Sequence, residues 1–233
     1  MSRVRLGPSV VECVRGDIAD QRDVEAVVNA ANAELRPGGG VAGAIHSAAG
    51  PALYEECRPL APIRPGEAVI TGGHGLPNRY VIHCLGPVYG VDVPSDVLLA
   101  DCYRNAMRLA GKRGITSIAF PAISAGVFGY PMEEAAAVAV RTVVKELRGL
   151  PTVRIVRFVV FDSSTQKLYE ELLSDQESSR TGGSSRQPPS PTSSGSLSDD
   201  ERRPPERSEP TNLRRKGFSG SWGYPCRWPP SSS

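Results

Sequence analysis

GGGVAGAIHSAAGP at residues 38–51 and FPAISAGVFGYP at residues 120–131 are the stretches that decide the fold. Each follows a short apolar run, VVNA at 27–30 and SIAF at 117–120, and each leads into a segment with helical periodicity. Apolar runs alternating with longer amphipathic ones, joined by glycine-rich turns, predict an α/β fold with helices on both faces of a sheet. In such a fold ligands sit outside the carboxyl ends of the strands, where these turns fall. Gly38, Gly39 and Gly40 ahead of a helix leave backbone N–H groups unobstructed, and the helix dipole adds a field that favours an anion. The loop from Ser124 to Gly129 supplies a second cradle, and two cradles suit a diphosphate better than a monophosphate. Neither is a P-loop, because no GK[ST] follows, and neither matches G-x-G-x-x-G.

Working outward, strands are expected at Val10–Val14, Ala26–Asn29, Ala68–Gly72, Tyr80–Gly86, Ser117–Pro121 and Val153–Phe161. The last three are almost continuously apolar and so are placed centrally. A helix is predicted after Ser95, through Leu98, Leu99, Cys102, Ala106 and Leu109, to a stop at Gly114. A second starts at Pro131, carries Glu133 and Glu134 in its first turn, and ends in Lys145 and Arg148 before Gly149, matching the helix dipole at both ends. Further helical segments are Gly43 to Cys57, broken near Gly50-Pro51, and Thr165 to Leu173. A third polar cluster, Gly16-Asp17-Ile18, follows the first strand.

The chain has 233 residues, 39% hydrophobic and 22% charged, with a net charge of +2 from 27 basic and 25 acidic side chains. That balance gives no global field to attract nucleic acid or an anionic membrane. Five scattered cysteines, Cys13, Cys57, Cys84, Cys102 and Cys226, show neither a CxxC pair nor zinc-site spacing, so they read as reduced thiols with no metal site. The absence of an apolar run of signal-peptide or membrane-spanning length makes the cytoplasm the expected location. After Asp175 the sequence turns rich in Ser, Pro and Arg, with too little apolar surface to offset the entropy of ordering. The expected organisation is therefore a folded domain over residues 1–175 and a disordered tail over 176–233. Arg202, Arg203, Arg214, Arg215 and Lys216 give that tail weak, salt-sensitive affinity for polyanions at most.

VVNAAN (27–32), GGGVAGAIHSAAGP (38–51), RYVIHCLGP (79–87) and FPAISAGVFGYP (120–131) together resemble the signature segments of the macrodomain family over residues 9–173. TGGHGLPNRYVIHCLGP and ISAGVFGYP are most similar to the MacroD-type branch, which includes O-acetyl-ADP-ribose deacetylases and mono-ADP-ribosyl-protein hydrolases. The resemblance implies a three-layer α/β/α domain around a mixed, mostly parallel sheet. It also implies ADP-ribose, O-acetyl-ADP-ribose or an ADP-ribosylated protein as partner, no cofactor, and a monomer.

Carried over by position, the resemblance gives Asp17 the adenine amino group, with Ile18 beside it. Phe161 is expected to lie against the adenine, and Asn32 to hydrogen-bond the distal ribose. Asn29 is a further ligand candidate, or a residue that ties down its own loop. Gly39, Gly40 and Val41 are expected to approach the ligand from one side. Ser124, Ala125, Gly126, Val127 and Phe128 wrap the diphosphate from the other. The catalytic candidates are Asn32, Gly40 and His46. His83 reads as a hydrogen-bonded core residue and His74 as a loop residue.

One departure from the branch pattern bears on chemistry: MacroD-type sequences usually carry Asp in GGGVDG, and this chain carries Ala42. The presumed water-activating carboxylate is missing. Other macrodomains with GGGVAxA are nonetheless associated with hydrolysis, the water being held by backbone groups and the substrate's own phosphate. Two functions stay open at this point, a hydrolase of ADP-ribose conjugates and a non-catalytic ADP-ribose reader.

Overall fold

The computed structural model describes residues 2–181. Seven strands, β1 (Ser2–Leu6), β2 (Ser9–Arg15), β3 (Ala26–Ala30), β4 (Ala68–Gly72), β5 (Tyr80–Cys84), β6 (Ser117–Phe120) and β7 (Ile155–Val160), form one sheet in the order β1-β2-β7-β6-β3-β5-β4. The five inner strands run parallel, while β1 and β4 pair antiparallel at the two edges. This is the mixed, mostly parallel sheet expected. Of the three strands placed centrally, β6 is in the middle, β7 beside it, and β5 one place in from an edge.

Alternation within the apolar strands explains the layering. Val28, Ile82, Ile118, Phe120 and Phe158 face α3 (Ser95–Lys112), α4 (Met132–Leu147) and α5 (Ser163–Thr181). Their neighbours Val27, Val81, Ala119 and Val159 face α1 (Gly40–Ala49) and α2 (Pro51–Cys57). Strands buried on both faces need apolar residues at every position, hence the continuous runs. An aromatic file crosses the first layer, with ring centroids 5.2 Å apart for Tyr103–Phe120, 6.2 Å for Phe120–Phe158 and 4.8 Å for Phe158–Tyr169. Each of these buried rings contributes roughly 1.5–3 kcal/mol through removal from water.

Several boundaries differ from the sequence reading, for local reasons. Strand β1 was not expected; its Val4 and Leu6 are buried while Arg3 and Arg5 alternate with them, and Gly7 turns it into β2 with φ +64°. Ser95 is the first residue of α3 and not its cap; its hydroxyl donates to the Asp92 carbonyl at 2.5 Å. Pro131 precedes α4 by one residue. The first helix starts at Gly40, not Gly43, and Gly50 at φ +78° separates it from α2. Helix α5 runs from Ser163 to Thr181, past both ends of the segment expected at Thr165 to Leu173, because extending an existing helix fixes few new dihedrals and needs no apolar face. The tail expectation for residues 182–233 lies outside the described residues. Among the described residues, no helix is long and apolar enough to cross a membrane.

Candidate functional site

A cleft of about 440 Å³ opens across the carboxyl ends of β2, β7, β6 and β3. Its chemistry follows the strand order. After β2 come Gly16 and Ile18, and at the end of β7 come Val160 and Phe161, making an apolar slot. After β6 comes the loop Pro121–Phe128; after β3 come Asn32 and the stretch Gly38–Ala42. From β2 to β3 is three strand spacings, about 14 Å.

The middle of the cleft is built from amides. The N–H groups of Gly40, Val41 and Ala42 open helix α1, whose cap residue Gly39 offers no side chain, and like all first-turn amides they lack a partner within the helix. Opposite them, the amides of Ala125, Gly126, Val127 and Phe128 donate to no acceptor among the described residues. The loop that presents them is pinned from within, by Gly129 N to Gly126 O at 2.9 Å and Tyr130 N to Ser124 O at 3.1 Å. Ser124 is held at φ +64°, and its buried hydroxyl has no partner among the described residues. Strain of that kind persists only where the surroundings enforce it. Gly43 is required for the opposite wall: a Cβ there would collide with the carbonyl oxygen of Gly38. Gly86 plays the same part below the loop, where a Cβ would collide with Ser124 Oγ and Ile123.

Asp162 is the one ionisable residue in the lining among the described residues. It caps α5, accepting from Thr165 N at 2.7 Å, and bonds to Ser164 Oγ and to the Thr165 amide and hydroxyl hold its carboxyl down at about 2. Among the described residues no lysine, arginine or histidine lines the cleft, so an anion would be met by aligned amides and helix dipoles.

Of the residues singled out in the sequence, Ile18, Asn32, Gly39, Gly40, Val41, Ser124, Ala125, Gly126, Val127, Phe128 and Phe161 are brought together in this lining. Val127 is fully exposed and Phe161 is 73% exposed, forming two apolar lips. Asn32 also closes its own loop, donating to Arg36 O at 2.8 Å and accepting from Arg36 N at 2.9 Å. One amide hydrogen and one lone pair of Asn32 are left over.

Asp17, Asn29 and His46 are not in the lining. Asp17 is exposed and caps the 3₁₀ turn Ile18–Asp20, with Oδ1 accepting from Ala19 N at 2.9 Å; its second oxygen is not used in that bond. Asn29 is fully buried, its amide 3.1 Å from His83 Nδ1, so it does not tie down its own loop as expected. His46 does share a face with Ala42, but a turn deeper. It is buried, burial lowers its pKa, and neither ring nitrogen has a partner among the described residues.

Sequence reading missed what His46 faces. His46, Cys57 and His83 bring donor atoms within 4.8 Å of one another under α1, the one such grouping among the described residues. His83 Nε2 lies 2.9 Å from Thr71 Oγ1 and 3.6 Å from Cys57 Sγ, while burial lowers the ring to about 3 and raises the Cys57 thiol to about 11. Because His83 is already engaged and no acid accompanies the trio, a divalent ion with one thiolate would leave net charge in apolar surroundings. The trio reads as a neutral polar knot. Also missed were Pro121, Met132, Asp162 and Thr165; the pattern Asp162-Ser-Ser-Thr165, a helix cap directly after a strand, was the available signal.

A family model described as Macro domain matches residues 28–139. A Klebsiella pneumoniae protein named O-acetyl-ADP-ribose deacetylase is 48% identical over 168 residues, covering 70% of this chain and 95% of that one. The chain belongs to the macrodomain family. Among solved structures, the Oceanobacillus iheyensis macrodomain with ADP superposes with a TM-score of 0.72 at 39% identity, covering 76% of this chain and 96% of that one. The Trypanosoma brucei macrodomain in complex with ADP-ribose gives 0.65 at 39% identity, over 69% and 68% of the two chains.

Proposed function

We propose that this macrodomain binds ADP-ribose and hydrolyses its conjugates, O-acetyl-ADP-ribose or ADP-ribosyl esters of acidic protein side chains. The observation that carries the reading is the order of chemistry along the cleft. An apolar slot at Ile18 and Phe161 suits a purine, two facing rows of unpartnered amides suit a diphosphate, and Asn32 with the opening of α1 suits a ribose. The spare oxygen of Asp17, at the slot end, suits an exocyclic amino group. The relatives named as deacetylases and the relatives solved with ADP or ADP-ribose support the same assignment.

Hydrolysis here proceeds without a side-chain base at position 42. Ala42 lines the cleft, and the one carboxylate in the lining among the described residues, Asp162, is tied into a helix cap at the far end. The attacking water is then held by backbone groups near Gly40 and by the substrate's own phosphate, with Asn32 orienting the ribose. His46, on the buried face of α1, lies too deep for a direct role and packs towards His83 beneath the helix. A second reading, a non-catalytic reader, is favoured by the same Ala42. Incubating the protein with O-acetyl-ADP-ribose and with a mono-ADP-ribosylated acidic protein, and following ADP-ribose by mass spectrometry, separates the two. Release above the uncatalysed rate establishes the hydrolase; tight ADP-ribose binding without release establishes the reader.

A further inference from the structure

Seven large apolar side chains are markedly exposed among the described residues: Leu60, Tyr89, Val91, Val93, Val97, Val127 and Phe161. Val127 and Phe161 are the lips of the cleft; four of the other five fall within residues 89–97. Val91 and Val93 are 72% and 73% exposed. Scattered surface valines need no explanation, but a run of this kind beside a ligand cleft marks a contact surface.

The segment is joined to the cleft and held in shape. Tyr89 N donates to the carbonyl of Phe128, a lining residue of the amide loop, at 2.9 Å, and the Tyr89 ring packs on Tyr130 at 4.7 Å. Val88 N donates to Asp92 Oδ2 at 2.8 Å, Asp92 N and Val91 N donate back to Val88 O at 3.0 and 3.1 Å, and Ser95 Oγ ties Asp92 O to the start of α3. The valines are therefore displayed on a fixed turn. Acidic side chains border it: exposed Asp96 on α3 and exposed Glu134 on α4, which accepts from the Tyr89 hydroxyl at 3.2 Å.

We propose that Tyr89, Val91, Val93 and Val97 form the docking surface for the polypeptide that carries the ADP-ribosyl group, engaging apolar side chains flanked by Lys or Arg near the modified residue. This rests on the ADP-ribose reading of the cleft. The conjugated group must leave the cleft beyond the ribose end, at β3, and this segment follows β5, the strand beside β3 in the sheet. An acetyl group is too small to reach past the Phe128 loop; a polypeptide is not. The apolar run matches apolar side chains, and the acidic border selects basic neighbours. The preferred substrate class is thus a protein conjugate, with small acyl conjugates handled by the cleft alone.

The test compares Val91→Ser/Val93→Ser with the wild type, using calorimetry on free ADP-ribose and on two ADP-ribosylated peptides, one apolar with basic flanks and one acidic. Both valines are solvent-facing, so the variant should fold, and its affinity for free ADP-ribose serves as the check. The expected result is unchanged ADP-ribose affinity with about a tenfold loss for the apolar-basic peptide conjugate and little change for the acidic one. Where turnover is measurable, KM for the protein conjugate rises while O-acetyl-ADP-ribose kinetics stay put. Equal affinity of wild type and variant for the apolar-basic conjugate overturns the proposal. So does a concentration-dependent dimer of the full chain abolished by the same substitutions, which would make this a self-association surface. Failure of the wild type to bind free ADP-ribose overturns the cleft reading itself, and the proposal with it.

Discussion

Replacing Gly43 by alanine adds a single methyl group to α1, yet it should be among the most damaging small changes for ligand binding. The new Cβ would overlap the carbonyl oxygen of Gly38, a backbone atom with no flexible end to swing away. Either α1 or the Gly38–Gly40 rim must move, and that rim carries the amides aimed into the cleft. Overpacking of this kind costs about 1–3 kcal/mol in stability. Displacing the rim also removes at least one amide bond to a charged phosphate, worth about 1.5–3 kcal/mol, which is a ten- to hundredfold rise in Kd for ADP-ribose. Gly149→Ala is the matched control, since its Cβ would meet only Glu146 O at an ordinary 3.8 Å, far from the cleft. Calorimetry with ADP-ribose and thermal melts on both variants give the answer. A Gly43→Ala protein with wild-type Kd and Tm would refute the reasoning, because it would mean that the rim yields without losing its donors.

Three further expectations follow from other parts of the molecule. Ala42→Asp should raise hydrolysis of O-acetyl-ADP-ribose at least about tenfold by supplying an acceptor for the water's proton, part of the 10²–10⁴ that a placed base can give; lower turnover at intact ADP-ribose affinity would show instead that the small side chain is needed to admit the conjugate. Arg157 is buried and bonded to Glu12 at 2.8 Å, to Asp23 at 2.6 and 2.7 Å and to Gln21 at 3.0 Å, so Arg157→Met, which leaves the fully buried Glu12 with Arg3 alone, bonded at 2.9 Å, should cost about 1.5–3 kcal/mol in urea unfolding, and a second change, Glu12→Leu, should recover part of it. His83 is held neutral by burial, with a folded pKa of about 3 against about 6.5 unfolded, so its contribution is intact above pH 6.5 and is lost as pH falls towards 3. Between pH 7 and pH 5 the wild type should lose about 2 kcal/mol more than a His83→Gln variant, and equal losses in urea titrations would argue against a neutral buried ring.

Residues close in sequence carried most of what could be read before folding. Strand β6 and its loop, or Gly38–Gly40 and α1, are local objects: apolar run, glycines and helix start lie within a dozen residues, so the composition of each turn already specifies backbone donors at a strand end. Periodicity likewise decided the α/β class, because strands covered on both faces must be apolar throughout. Strand β1 shows in the sequence only as the alternation of Val4 and Leu6 with Arg3 and Arg5, a run too short for its period to stand out from a turn.

What the tertiary structure alone decided depends on partners far apart in the chain. Whether Asn29 faces ligand or core hinges on His83, 54 residues away, and whether His46 reaches the cleft hinges on Cys57 and His83 beneath it. Arg157 finds Glu12 across 145 positions and so becomes an internal clamp, although its own strand gives no sign of a charge partner. The exposed valines at 91 and 93 gain meaning only because one backbone bond, from Tyr89 N to Phe128 O, sets their turn beside the cleft. Sequence spacing encodes the direction and donors of a local turn, since those follow from a few dihedrals. Burial, partner choice and adjacency follow from how sheet order brings distant segments together, and no local pattern contains that order.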